Sequence, residues 1–171
     1  MHLDVGSDCA IIKRESRTVI YSSKSRPAGH HLVAPDDDFP TCDRVSVTLV
    51  IYSASLNSDE ITRRLAIAST DTDHDSLRSP GRNKRNRKGQ FVWVYETEKF
   101  IQSREVRTHL DHLITILLPI KADFEALQDL PGVQMTVWIY WWGASGGPVL
   151  WPQHMFGLSE LNLELQIDVT D

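Results

Sequence analysis

Cysteine is almost missing from this chain. Cys9 and Cys42 stand alone among 171 residues and form no CxxC pair. That excludes a zinc ribbon, a thioredoxin-type redox motif and a disulfide scaffold, and leaves two free thiols as the expectation. Long apolar runs are missing too: nothing approaches the roughly 20 residues that cross a bilayer. The opening "MHLDVGSDCAIIKRESR" holds an apolar stretch too short for a secretory core, so a cytoplasmic address is the default expectation. Positive charge is not in excess. The net charge is −5, which gives no global pull toward nucleic acid or anionic lipid. Signature motifs of catalysis are lacking as well. There is no HExxH and no Walker loop, and "GASGG" only superficially resembles a nucleophile elbow. The expectation is a protein without a cofactor, and more a binding domain than an enzyme.

What the chain does have is enough apolar residue, 41% of it, to build the core of one ordinary domain. Residues 1–44 differ from the rest. "SSKSRPAGHH" and "APDDDFPTCDR" are rich in Ser, Pro, Asp and Arg without a sustained period, the composition of a flexible tail. Order begins at "RVSVTLVIYSA", where Val45, Val47, Leu49 and Ile51 alternate as in a half-buried strand. In "LNSDEITRRLAI", Asn57 and Glu60 form a capping box, and Ile61 with Leu65 gives one apolar helical side. A polar loop leads to a second strand, "QFVWVYE".

Ser103 is placed to cap the next helix, whose stripe is Val106, Leu110, Leu113, Ile114 and Leu117. Pro119 must interrupt it, because proline cannot donate to the carbonyl four residues back. "KADFEALQDLPG" resumes a helix and ends at Pro131-Gly132, and "VQMTVWIYWW" is a third strand. "WPQHMFGL" reads as a short helix with Pro152 in its first turn, and "LNLELQIDV" closes the chain as a fourth strand with one apolar face. The expected fold is α+β, in the order β-α-β-α-β-α-β: residues 45–171 form a mostly antiparallel four-stranded sheet with helices on one face.

The runs "VSVTLVI", "SDEITRRLAI", "KGQFVWVYE", "HLDHLITILLPIKADFEAL" and "LSELNLELQIDV" resemble the bacterial domain-of-unknown-function family 4279 over about residues 45 to 169. The resemblance implies a small α+β domain without an established activity, and it supplies no catalytic residues. Small bacterial domains of this general kind include toxin-neutralising proteins, an analogy at the level of fold class.

Four features are candidates for function. Arg78, Arg82, Lys84, Arg85, Arg87 and Lys88 form a basic run that could meet phosphates, with Arg82, Lys84, Arg85, Arg87 and Lys88 as the nucleic-acid alternative. The neighbouring strand fails the RNA-recognition pattern, since Lys88 sits where glycine belongs and Gly89 where an aromatic belongs. A solvated loop balanced by Asp71, Asp73 and Asp75 is the plainer reading. Those aspartates start like a calcium loop, but Ser76 replaces its glycine and Arg82 its final glutamate. His109 and His112 lie close enough to share a metal, yet no third ligand follows at a diagnostic spacing, so helix-surface histidines with ordinary partners are expected.

The most informative stretch is the third strand. Val133, Met135, Val137 and Ile139 suit the helix stripes, which turns Trp138, Tyr140 and Trp142 to the open face. Three half-bare rings of that size would expose about 300 Å², the scale of an interaction site. The expected partner surface is therefore Trp138, Tyr140 and Trp142, with Glu164 and Asp168 at its edge. The plainer covers for it are the N-terminal tail, the Gly-rich turn with Trp151 or a second copy of the chain, and the functional reading is a protein partner. Phe91, Trp93 and Tyr95 share a face that the sequence does not assign.

Overall fold

The computed structural model describes residues 34–70, 90–143 and 145–170. Strand β1 (Arg44–Ser53) leads into helix α1 (Ser58–Leu65), strand β2 (Phe91–Glu96), helices α2 (Val106–Leu117) and α3 (Lys121–Gln128), strand β3 (Val133–Trp142), helix α4 (Pro152–Glu160) and strand β4 (Glu164–Thr170). The sheet order is β2-β1-β3-β4. β1 pairs antiparallel with β2 and β3, while β4 runs parallel to β3. The crossover that a parallel pair requires is supplied by α4. The α+β sheet is thus mostly antiparallel, as the alternation of its strands indicated.

Local chemistry sets the element ends. The Asn57 side chain accepts from the Glu60 N–H and the Glu60 carboxylate from the Asn57 N–H, both at 2.9 Å, completing the capping box. Pro119 does interrupt the long helix: α2 stops at Leu117, a 3-10 turn covers Leu118–Ile120, and α3 starts at Lys121. Pro152 opens α4, where its missing N–H costs nothing. Two local readings are corrected. The cap of α2 is Glu105, whose carboxylate accepts from the Arg107 N–H, and Ser103 Oγ instead accepts from the Glu105 N–H. The last strand begins at Glu164, because Asn162 (φ 50°) turns the chain. Leu161 and Leu163 are buried ahead of it.

Residues directly opposite in a sheet share a face, so the register assigns every side chain. Opposite Val47 lies Ile139, opposite Leu49 lie Tyr95 and Val137, and opposite Ile51 lies Trp93. These residues are buried and pack with Ile61, Leu65, Val106, Leu110, Leu113, Leu117, Phe124, Leu127 and Leu158 of the helices. Trp93 and Tyr95 therefore belong to the core face. Trp141 joins them, 1% exposed, with Phe39 edge-on at 5.5 Å. Helices α2 and α4 touch closely at Gly157, where a Cβ would sit 2.8 Å from Ile114 Cδ1.

Residues 34–43, assigned to the tail by composition, are fastened to this core. Cys42 is 1% exposed, a free buried thiol whose pKa burial pushes up. Arg104 donates to the Cys42 and Asp38 carbonyls. Cys9 and the remainder of the tail lie outside the described residues.

The aromatic face as candidate functional site

The face of the sheet away from the helices carries Trp138, Tyr140 and Trp142 on β3. On β1 their opposite numbers are Thr48, Ser46 and Arg44, and on β4 they are Gln166, Asp168 and Thr170. Glu164 stands on the same face, opposite Thr136. Thus Trp138, Tyr140, Trp142, Glu164 and Asp168, spread over thirty residues of sequence, share one surface of two neighbouring strands.

The rings do not lie flat. Trp138 and Tyr140 are parallel within 2° with centroids 5.8 Å apart, and Tyr140 and Trp142 follow at 6.1 Å and 33°. The parallel Trp138–Tyr140 pair is offset-stacked, whereas Trp142 is tilted against Tyr140. Tyr140, with a tryptophan on either face, is only 8% exposed, whereas Trp138 and Trp142 are half-buried. The flanking rings cover part of Tyr140, and the same face also buries Ser46, Thr48 and Val50 of β1 and Val94 of β2.

The Arg44 guanidinium lies over Trp142, 4.9 Å from the ring centroid, and is held by Glu98 through bonds of 2.8 and 3.1 Å. Such a fork-to-carboxylate bond fixes the arginine plane against the ring. Arg44, Glu98 and Gln166 were not singled out from sequence, although Arg44 keeps the same alternation as Ser46 and Thr48. Beyond Arg44 a shallow cleft of about 370 Å³ is lined by Asp37, Asp38, Asp43, Glu98, Ser103 and Arg104. Both of its arginines are paired, Arg44 with Glu98 and Arg104 with Asp38. With Glu164 and Asp168 on the other side, the surroundings of the stack are acidic among the described residues.

The polar groups inside the molecule have local duties. His109 is fully buried rather than on the helix surface as expected, and burial holds its pKa below the ordinary histidine value. The neutral ring donates from Nε2 to the Ser103 carbonyl at 2.9 Å, and its Nδ1 lies 2.7 Å from the Thr97 hydroxyl, whose one proton it shares with the Val47 carbonyl at 2.9 Å. His112 Nε2 faces the Tyr95 hydroxyl at 2.9 Å. Burial raises the phenol pKa and lowers that of His112, which favours a hydrogen bond between two neutral groups. His154 Nδ1 accepts from the Trp151 N–H, and its Nε2 meets Asp111, both at 3.0 Å. It serves as a helix cap, and its basic lone pair is engaged. Glu105 and Arg107, 1% and 2% exposed at the side chain, form a buried ion pair with Trp151 stacked on the guanidinium. Sequence reasoning missed that pair. Among the described residues, no three His, Cys, Asp or Glu side chains are arranged to hold a metal.

The basic run, including Arg82, Lys84, Arg85, Arg87 and Lys88, and the aspartates at 71, 73 and 75 lie outside the described residues. No helix among the described residues is long and apolar enough to cross a membrane.

No curated protein and no solved structure matches the chain. A family described as a domain of unknown function (DUF4279) matches residues 43–171, the whole of the sheet and its helices. The chain belongs to that family.

Proposed function

We propose that this domain is a non-catalytic binding module that takes a protein partner on the Trp138–Tyr140–Trp142 stack, with Glu164 and Asp168 contributing polar contacts at the β4 edge. The observation that carries the reading is the placement of three large rings on the sheet face opposite the helices, beside the exposed Glu164 and half-buried Asp168 carboxylates of β4. Aromatic residues supply area at little entropic cost, and residues of this kind are enriched among binding hot spots. The acidic surroundings favour a partner that presents basic groups around an apolar centre. Overlapped rings are a poor platform for stacking bases, which supports a protein partner over a nucleic acid. The duties of His109, His112 and His154 support binding over catalysis, because the geometry gives each a structural partner. Toxin neutralisation is the form of binding that fold-class analogy suggests.

The test is affinity capture from the native host with the full chain, compared with Trp138→Ser and with Met155→Ser. Met155 is an exposed residue of α4, on the helical side. The reading expects a captured protein that Trp138→Ser loses and Met155→Ser retains, with both variants folded by circular dichroism. Equal capture by all three proteins would contradict it.

A further inference from the structure

We propose that the outer edge of β4 is a self-pairing edge, through which two copies of this chain join their sheets antiparallel about a two-fold axis at Ile167. β4 is the last strand of the sheet. The Gly143 N–H donates to the Thr170 carbonyl at 3.1 Å, so residue 170 and those two and four before it aim their backbone groups at β3. By the alternation of a strand, Leu165, Ile167 and Val169 aim N–H and C=O outward.

The opposite edge of the sheet is treated differently. On β2, the Val94 carbonyl accepts from the Thr70 N–H and the Glu96 N–H donates to Thr70 Oγ1, both at 2.8 Å. A crossing segment thus covers that edge at Val94 and Glu96. β4 has no such cover among the described residues, and its only charged side chains, Glu164 and Asp168, both stand on the ring face. Its sequence ELQIDVT has no lysine and no proline, and its register with β3 runs unbroken from Glu164 to Thr170. Ile167 and Val169 are 47% and 52% exposed.

Charge selects the register. Two-fold antiparallel pairing that keeps the faces matched must be centred on a single residue. Centring on Gln166 sets Glu164 against Asp168 of the second copy, and centring on Asp168 sets that aspartate against itself. Like charges directly opposite are destabilising. Centring on Ile167 avoids both. It places Ile167 on Ile167 and Leu165 on Val169, outward-pointing pairs that exchange both backbone bonds. On the other face it sets Gln166 by Asp168 and Glu164 by Thr170, pairs able to hydrogen-bond. The two helical layers then share one side of a continuous sheet, and the two ring stacks share the other. The dimer does not depend on the partner reading above.

Sedimentation of the full chain across a concentration series, joined to amide hydrogen exchange, tests it. The expectation is a dimer whose Leu165, Ile167 and Val169 amides gain protection as concentration rises. Ile167→Lys should be monomeric with an unchanged circular dichroism spectrum. Gln166→Asp should weaken the dimer by opposing acid to acid, and adding Asp168→Asn should restore it. Three results overturn the proposal: a monomer at every concentration, including one whose β4 amides are protected by its own chain; a dimer that survives Ile167→Lys; or a dimer lost with Trp138→Ser and kept with Ile167→Lys. The last would place self-association on the ring face instead.

Discussion

Trp141 and Trp142 are neighbours on one strand and live in different media. Trp141 is 1% exposed beneath the helices with Phe39 against its ring, whereas Trp142 is half-buried on the opposite face under the Arg44 guanidinium. The two-residue period of a strand produces this split, and it separates residues packed under the helices from residues on the opposite face. Residue type alone does not: five tryptophans divide between both roles.

The sharpest way to break the comparison is to treat the inner face as the outer one. Trp141→Ala should cost about 3–5 kcal/mol, the range for emptying a large buried ring site, read as the shift of a urea unfolding transition. Glu105→Gln should rank next, at about 3 kcal/mol, because it leaves the Arg107 charge buried without its counter-charge. The same denaturation experiment measures it, and a loss below about 1 kcal/mol would mean that solvent reaches the pair.

The smallest effect is on pH dependence. Burial lowers the folded-state pKa of His109 below 6.5, so the unfolded chain binds a proton that the folded chain resists. The stability contributed by the neutral ring is present above 6.5 and is lost as pH falls from there toward the folded value. His112, lowered for the same reason, acts in the same direction. His109→Gln should therefore flatten the fall in Tm between pH 7.5 and 5.5, whatever it does to Tm at neutral pH. A slope unchanged from the parent would remove the assignment.

Much of this architecture was legible because period and face coincide. β1 and β3 each carry β-branched residues at alternate positions, and the α2 stripe repeats at helical spacing, so their inner faces followed from sequence. β2 resisted because both of its faces are apolar. Phe91, Trp93 and Tyr95 were assigned only by pairing with Ser53, Ile51 and Leu49, contacts remote in sequence. The Glu105–Arg107 pair was hidden for another reason. Residues two apart do not face each other on a helix, and they meet here because Glu105 sits at the cap, outside the helical turn. Residues 34–43 read as tail because Phe39 and Cys42, the two that anchor into the core, are isolated among Asp, Pro and Thr. For the site, the ring face and its two β4 carboxylates were readable from alternation. The Arg44–Glu98 clamp was not, since nothing local links residues so far apart in sequence.

The central claim is that the outer rings are a surface and not a second core. Urea unfolding of the Trp138→Ser/Trp142→Ser double variant tests it most directly. The expected result is a cooperative transition within about 1–2 kcal/mol of the parent, as for substitutions at half-exposed positions. A loss of about 4 kcal/mol or more, the cost of emptying buried ring sites, would contradict the account and put those rings among the residues that hold the fold.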